Sequence, residues 1–235
     1  MSSTVVSSAG VVPRAGAMSR AARVFGSTIG QKLVMAVTGV ILSGFVLAHM
    51  AGNLNVFRGA EAIDGYSHML HALPELLWVA RIVLLTAVGL HIWAYLALTR
   101  RSLGARPVGY RQQKYLESTY ASRTMRISGP FLAAFIVYHL LHMTTGTVHP
   151  HFEEGQVYQN LMTGLGVVPV ALFYLAAMGA LAFHLFHGVW SLFQTLGVGA
   201  PRYESLGRRI ATGFTIVVAG GFAVVPLAIL LGILH

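Results

Sequence analysis

The chain alternates between long apolar runs and short polar segments. The first apolar run, 33–57, contains no Asp, Glu, Lys or Arg. As a helix that rises ~1.5 Å per residue, it is long enough to cross the roughly 30 Å hydrocarbon layer of a membrane. Four further charge-free windows follow it. Together they predict five transmembrane helices, at about 30–53, 75–98, 124–145, 167–196 and 210–234, with a kink at Pro226 in the last. We therefore expect an all-α, polytopic membrane protein in which five helices form one bundle.

The composition agrees with this class and excludes several others. The 235 residues are 55% hydrophobic and only 10% charged, too few polar side chains for a soluble globule of this length. The absence of cysteine excludes thiolate-held iron–sulfur clusters, covalent CxxCH haem and a disulfide within the chain. The net charge of +9 comes from basic residues in short segments between the spans. The sequence has no basic stripe, interleaved with aromatic residues, of the kind that binds a nucleic acid, so we expect no nucleic-acid partner.

The basic residues also predict the orientation of the chain. They concentrate before the first span, in the loop after the second and in the loop after the fourth, whereas acidic residues collect on the other side. The positive-inside rule therefore places the N-terminus in the cytoplasm and the C-terminus outside. We expect 1–29 to be a cytoplasmic tail and 30–235 to be the membrane domain. The basic inner loops suit the docking of other subunits and the head groups of membrane lipids.

Histidines occur in four of the five predicted spans. They are His49, His91, His139 with His142, and His184 with His187. An ionisable side chain inside a membrane is costly and needs a polar partner or a function. Neutral imidazoles from two facing helices can bind one b-type haem, so four such ligands make two haem sites. Zinc and a proton pathway are the alternatives, but both usually recruit carboxylates, which these spans almost lack. Depth in the membrane does not decide which histidine of the third or fourth span is the ligand.

Spans one and three share a weak repeat. Thr38-Gly39 precedes His49 as Ser128-Gly129 precedes His139, with ten residues from glycine to histidine in both. Because both spans run outward, the two histidines are expected at similar depth. The glycines let a helix or a flat ligand come close to the backbone.

With these residues the sequence resembles a known family, the single-chain, five-helix, two-haem cytochrome b subunit (b558 type) that anchors bacterial succinate dehydrogenases and fumarate reductases. The resemblance covers about residues 30–209. It is carried by Thr38-Gly39 with His49 and Gly52-Asn53, by Gly89-Leu90-His91, by Arg126-Ile127-Ser128-Gly129 leading to Tyr138-His139, and by the run FHLFHGVWS from Phe183 to Ser191.

The resemblance implies the ligands of both haems. It implies an outer haem between His49 and His139 and an inner haem between His91 and His184. His142 and His187 become neighbours that bond a haem propionate or a quinone.

The resemblance also implies the partners and the location. A flavoprotein subunit oxidises succinate, and an iron–sulfur subunit docks at the cytoplasmic face of the bacterial inner membrane. Electrons pass between that subunit and menaquinone or another quinone, by way of the inner and then the outer haem. The resemblance thus implies that the succinate site lies on another subunit. This chain has no Gly-rich dinucleotide motif and no cluster cysteines, so it cannot itself bind FAD or iron–sulfur centres in the usual ways.

The quinone site is expected near the outer haem, where quinone reduction also needs protons. Asp64 and His71, in the first outer loop, are its candidates. Two other functions stay open at this point. One is the haem-b subunit of a different quinone-linked enzyme of the formate dehydrogenase or nitrate reductase type. The other is a haem-free transporter or assembly protein.

Overall fold

The computed structural model describes residues 25–105, 120–195 and 201–235, and these residues are helical apart from short connections. Most of the predicted tail, 1–29, lies outside the described residues. The helices are α1 (Thr28–Asn53), continued by a short 3-10 helix (Leu54–Arg58), α2 (Ala60–His71), α3 (Pro74–Gly104), α4 (Tyr120–Met143), α5 (Val157–Leu165), α6 (Val168–Thr195) and α7 (Pro201–Leu230).

Five of these helices, α1, α3, α4, α6 and α7, are long and apolar enough to cross a membrane. Only 11–33% of the residues in their most apolar windows are buried inside the chain. Such apolar but exposed helix faces are stable in lipid and would be costly in water. The expectation of an all-helical fold with five transmembrane helices is confirmed.

The membrane helices form two pairs and one central packing helix. α1 packs along α3, α4 packs along α6, and α7 packs against α6 and, less extensively, against α1. Among the described residues, neither α1 nor α3 packs extensively along α4. The two pairs meet where α1 contacts α6, and towards α4 they are bridged by side chains rather than by close helix packing.

One end of the bundle is closed by the short helices. We call it the predicted outer end, because the basic residues predict that it faces outward. Here α2 and α5 cover the ends of the long helices, and a core of buried residues joins them to α4, α6 and α7. Asp64 of α2 accepts a hydrogen bond from the backbone N–H of Tyr158, at 2.9 Å, in the first turn of α5. This bond satisfies a donor that the helix itself cannot pair.

Two membrane helices extend six or more residues beyond their predicted bounds. α3 continues six residues past the predicted end at 98, to Gly104, and α7 begins at Pro201 rather than near 210. Both extensions are polar. Charged residues mark the end of a membrane span, but a helix can continue through them, so the helices are longer than the spans. In α7 the Glu204 carboxylate and the Arg208 guanidinium pair at 2.9 Å, one turn apart. α7 continues through Pro226 to Leu230, and the kink at Pro226 stays a prediction.

Candidate haem site and family membership

His91 and His184 face each other across the space between the two helix pairs. His91 lies on α3 and His184 on α6, with their ring centroids 6.2 Å apart. The His91 Nδ1 atom is 3.0 Å from the Thr38 hydroxyl of α1. That hydroxyl donates its own hydrogen to the Val34 carbonyl, at 2.7 Å. Thr38 therefore accepts the hydrogen bond from His91 Nδ1–H, which leaves Nε2 with a free lone pair.

His49 and His139 form a second pair nearer the predicted outer end. Their ring centroids are 5.9 Å apart, and the His139 Nδ1 atom is 3.3 Å from the Tyr174 hydroxyl of α6. The His49 ring stacks on Phe45 of its own helix, at 5.3 Å. Its Nε2 atom is 3.4 Å from the amide nitrogen of Asn53. The second pair thus links α1 with α4, two helices that do not otherwise pack extensively.

The separation of the rings fits a metal between them. With a metal–imidazole bond of about 2 Å on each side, and each ring centroid about 1.1 Å behind its nitrogen, two coordinating rings have centroids about 6.2 Å apart. The observed distances of 6.2 Å and 5.9 Å are close to this value. Two imidazoles suffice for haem iron, since the porphyrin supplies four more nitrogens. Zinc needs a larger cluster of protein ligands, and no group of three or more His, Cys, Asp or Glu in the described residues is arranged to hold a metal ion.

Four buried polar side-chain atoms of the described residues have no hydrogen-bond partner. They are Gln31 Oε1, His142 Nε2, His184 Nδ1 and Thr215 Oγ1. Native structures leave few such atoms, because an unpaired buried polar group costs about 1–3 kcal/mol. Of the four, only the His184 atom belongs to one of the facing rings, and His142 lies one turn from His139. Imidazoles that face each other from different helices are a donor set that fits b-type haem.

His142 lies one turn beyond His139 on α4. It is fully buried, and its Nδ1 atom is 3.0 Å from the same Tyr174 hydroxyl that His139 contacts. On its other side the ring lies 4.8 Å from the His149 ring. Gly164 of α5 fits against both rings only because it has no side chain: a Cβ there would lie 3.0 Å from His142 Nε2. His142 thus belongs to the closed outer end.

His187 and the two quinone-site candidates lie apart from the ring pairs. Among the described side chains, the ring that faces His91 is His184, and His187 is half-buried one turn further along α6. Asp64 contacts the backbone of Tyr158. His71 is exposed and bonds the Ser67 carbonyl of its own helix, at 2.8 Å.

Sequence reasoning assigned no role to Tyr174, and it quoted Thr38 only as part of a motif. A tyrosine in an otherwise apolar span was a usable signal, since a buried phenolic hydroxyl usually has a hydrogen-bond partner. Which histidine it bonds depends on how α6 packs on α4.

The model of one protein family, described as the succinate dehydrogenase/fumarate reductase transmembrane subunit, matches residues 103–228. This is more than half of the chain. The chain belongs to this family.

The family membership identifies the chain as the membrane-anchor subunit of a succinate:quinone oxidoreductase and as a multi-pass membrane protein. It therefore argues against the formate dehydrogenase, nitrate reductase and transporter alternatives. The match includes His139 and His184, whereas His49 and His91 lie before it. No curated protein and no solved structure matches the chain significantly.

Proposed function

We propose that this anchor subunit is a dihaem cytochrome b. In this proposal His49 and His139 hold an outer haem, and His91 and His184 hold an inner haem. The observation that carries it is the pairing of four histidines from four helices into two facing couples, at 6.2 Å and 5.9 Å. When bound in this way, haem b supplies one-electron transfer, here between an iron–sulfur subunit and menaquinone or another quinone.

The protein's own part is to orient the imidazoles. A hydroxyl from a neighbouring helix faces Nδ1 of one ring in each couple, Thr38 for His91 and Tyr174 for His139. A partner at Nδ1 fixes the tautomer and the rotation of the ring, so that Nε2 is presented to the metal.

The quinone end is proposed at the predicted outer end, close to His142. If His139 donates to the Tyr174 oxygen, the Tyr174 hydrogen is free to bond His142 Nδ1, which leaves a hydrogen on His142 Nε2. That N–H is buried and has no partner in the described structure. It suits a quinone carbonyl or a haem propionate. Asp64 and His71 stay predicted contributors of protons.

The proposed assembly follows from the family and the charge pattern. A flavoprotein subunit and an iron–sulfur subunit bind at the predicted inner end, in the bacterial inner membrane. Cationic side chains are present at that end: Arg126 is exposed, and Arg101 bonds the Thr28 hydroxyl at 3.1 Å. Such residues suit both a subunit surface and lipid head groups.

The first test is a pyridine haemochrome assay with a dithionite-reduced spectrum on the purified complex. We expect about two b haems per anchor chain. His49→Ala and His91→Ala should each remove one haem, and a different one, as shown by the two α-band components. A colourless wild-type complex, or loss of the same component in both variants, would contradict the proposal.

A further inference from the structure

One ligand of the proposed inner site lacks a partner that its counterpart has. His91 donates from Nδ1 to Thr38, whereas Nδ1 of His184 is buried with no hydrogen-bond partner. A metal-ligating histidine almost always donates its other ring N–H to an acceptor, since this bond orients the ring. His184 therefore needs an acceptor that the described contacts do not yet supply.

The internal repeat indicates where that acceptor is. Thr38 precedes His49 by eleven residues, and Ser128 precedes His139 by the same number. The structure extends this likeness from one helix to a pair, because α1 packs along α3 as α4 packs along α6. If α1 is matched to α4 and α3 to α6, His49 corresponds to His139 and His91 to His184. Thr38 then corresponds to Ser128. The counterpart of the bond between Thr38 and His91 is then one between Ser128 and His184.

The surroundings of Ser128 allow this bond. Ser128 is buried at 5% exposure. It lines one groove between α4 and α6 together with Ala180, one turn before His184, and Phe183, which directly precedes His184. In the described part of the chain its hydroxyl donates to the thioether of Met125, at 3.9 Å, a weak interaction that costs little to exchange.

The glycines that follow Thr38 and Ser128 also differ in what lies next to them. A Cβ on Gly39 would lie 3.7 Å from Cε1 of His91, so that ring already rests beside the α1 backbone. A Cβ on Gly129 would have nothing within 4 Å. Space is thus present on α4 next to Ser128, at the position that the His91 ring fills on α1.

We propose that the Ser128 hydroxyl accepts the Nδ1–H hydrogen bond of His184 in the haem-loaded protein. Each ligand of the inner haem is then oriented by a hydroxyl from the other helix of its pair. Ser128 acts as a positioning residue and does not itself touch the iron. The inference rests on the proposed function, because it requires His184 to bind through Nε2.

The test is a redox titration of both haems in the purified complex, with the low-spin ferric EPR signals recorded on the same samples. Ser128→Ala removes the acceptor, which makes the imidazole a weaker donor to ferric iron. We expect the inner haem alone to titrate at a higher potential, by about a tenfold change in the ferric-to-ferrous ratio, or about 59 mV for one electron. Its EPR signal should move as well.

Three variants serve as controls. Ser128→Thr keeps a hydroxyl and should retain the wild-type potential. Thr38→Val removes the bond seen to His91 and should raise the same potential, which confirms that the assay reports such bonds. Thr212→Val removes an exposed hydroxyl of α7 that bonds only its own helix, and it should change neither haem.

The outcomes separate this inference from the proposed function. If Thr38→Val moves the inner potential and Ser128→Ala does not, His184 has another acceptor and this inference is wrong, while the dihaem proposal stands. A shift of the outer haem in Ser128→Ala would also overturn it. If Ser128→Ala loses the inner haem, retention by Ser128→Thr supports the inference, and loss in both contradicts it. A wild-type complex without two b haems overturns the proposed function and this inference together.

Discussion

The histidines differ in the hydroxyl groups and the rings that they contact. His139 and His142 are one turn apart on α4, and both Nδ1 atoms lie within 3.3 Å of the same Tyr174 hydroxyl. Only His139 also faces the His49 ring. The shared tyrosine therefore connects the proposed ligand to a second histidine that lies outside the ring pair.

At this scale we predict that His139 and His142 respond differently to truncation. His139→Ala should lower the haem content from about two to about one per chain, because the outer iron loses a ligand. His142→Ala should keep both haems, although quinone turnover should fall because the buried N–H is lost. A pyridine haemochrome assay and a quinol oxidation assay measure the two effects. Loss of a haem in His142→Ala would show that His142, rather than His139, is the ligand on α4.

At the scale of elements, two polar segments that could have been loops are helices. α2 and α5 form because each has buried apolar residues on one side, such as Ile63 in α2 and Leu161 and Leu165 in α5. These residues pack into the core at the predicted outer end. Asp64 joins the two helices through the backbone of Tyr158. This residue thus has a structural contact as well as a proposed role in proton supply.

The two roles of Asp64 can be separated by comparing Asn with Ala. Asp64→Ala removes the acceptor for the α5 N-terminus and should cost about 0.5–2 kcal/mol of stability, the usual range for a lost helix cap. Asp64→Asn keeps an oxygen at the same place and should unfold at nearly the wild-type temperature. Thermal unfolding of the detergent-solubilised complex tests this.

Quinone reduction by the same variants tests the second role. If Asp64 supplies protons, Asp64→Asn should be as slow as Asp64→Ala, because an amide does not titrate. If Asp64→Asn reduces quinone at the wild-type rate, the carboxyl group is a cap alone and the prediction of a role in proton supply is wrong.

On the scale of the whole molecule, the bundle leaves room between its two helix pairs. The pairs are joined by α7, which packs on α6 and α1, and by direct contact of α1 with α6, whereas four imidazoles bridge the remaining side. A flat ligand that the histidines bind from both sides would complete the packing of this side. The same arrangement places one histidine couple nearer each end of the bundle, which suits electron transfer across a membrane.

The orientation of the molecule can be tested because the natural chain has no cysteine. We predict that Glu61→Cys in α2, on an exposed position, reacts with a membrane-impermeant maleimide in intact spheroplasts. Ser102→Cys, exposed at the opposite end of α3, should react only after the membrane is permeabilised. The cysteine-free parent is the control for unspecific labelling. The reverse pattern of labelling would show that the positive-inside rule gives the wrong orientation here.

The sequence alone determined the five membrane helices, because charge-free runs of sufficient length have few other stable structures in lipid. It also indicated four spans with histidines, since titratable residues are rare and costly there. It could not show that α2 and α5 are helices, because short amphipathic segments depend on what they pack against. Nor could it predict the polar extensions of α3 and α7.

The family resemblance implied which histidines pair, but residue spacing did not, and only the tertiary structure shows the rings facing each other. Spacing along one helix specifies a face and a depth, but it does not specify which other helix lies opposite. The packing of α1 on α3 and of α4 on α6 brings His49 to His139 and His91 to His184, and it gives Thr38 and Tyr174 their partners. These contacts join residues that are far apart in sequence, and no local pattern encodes them.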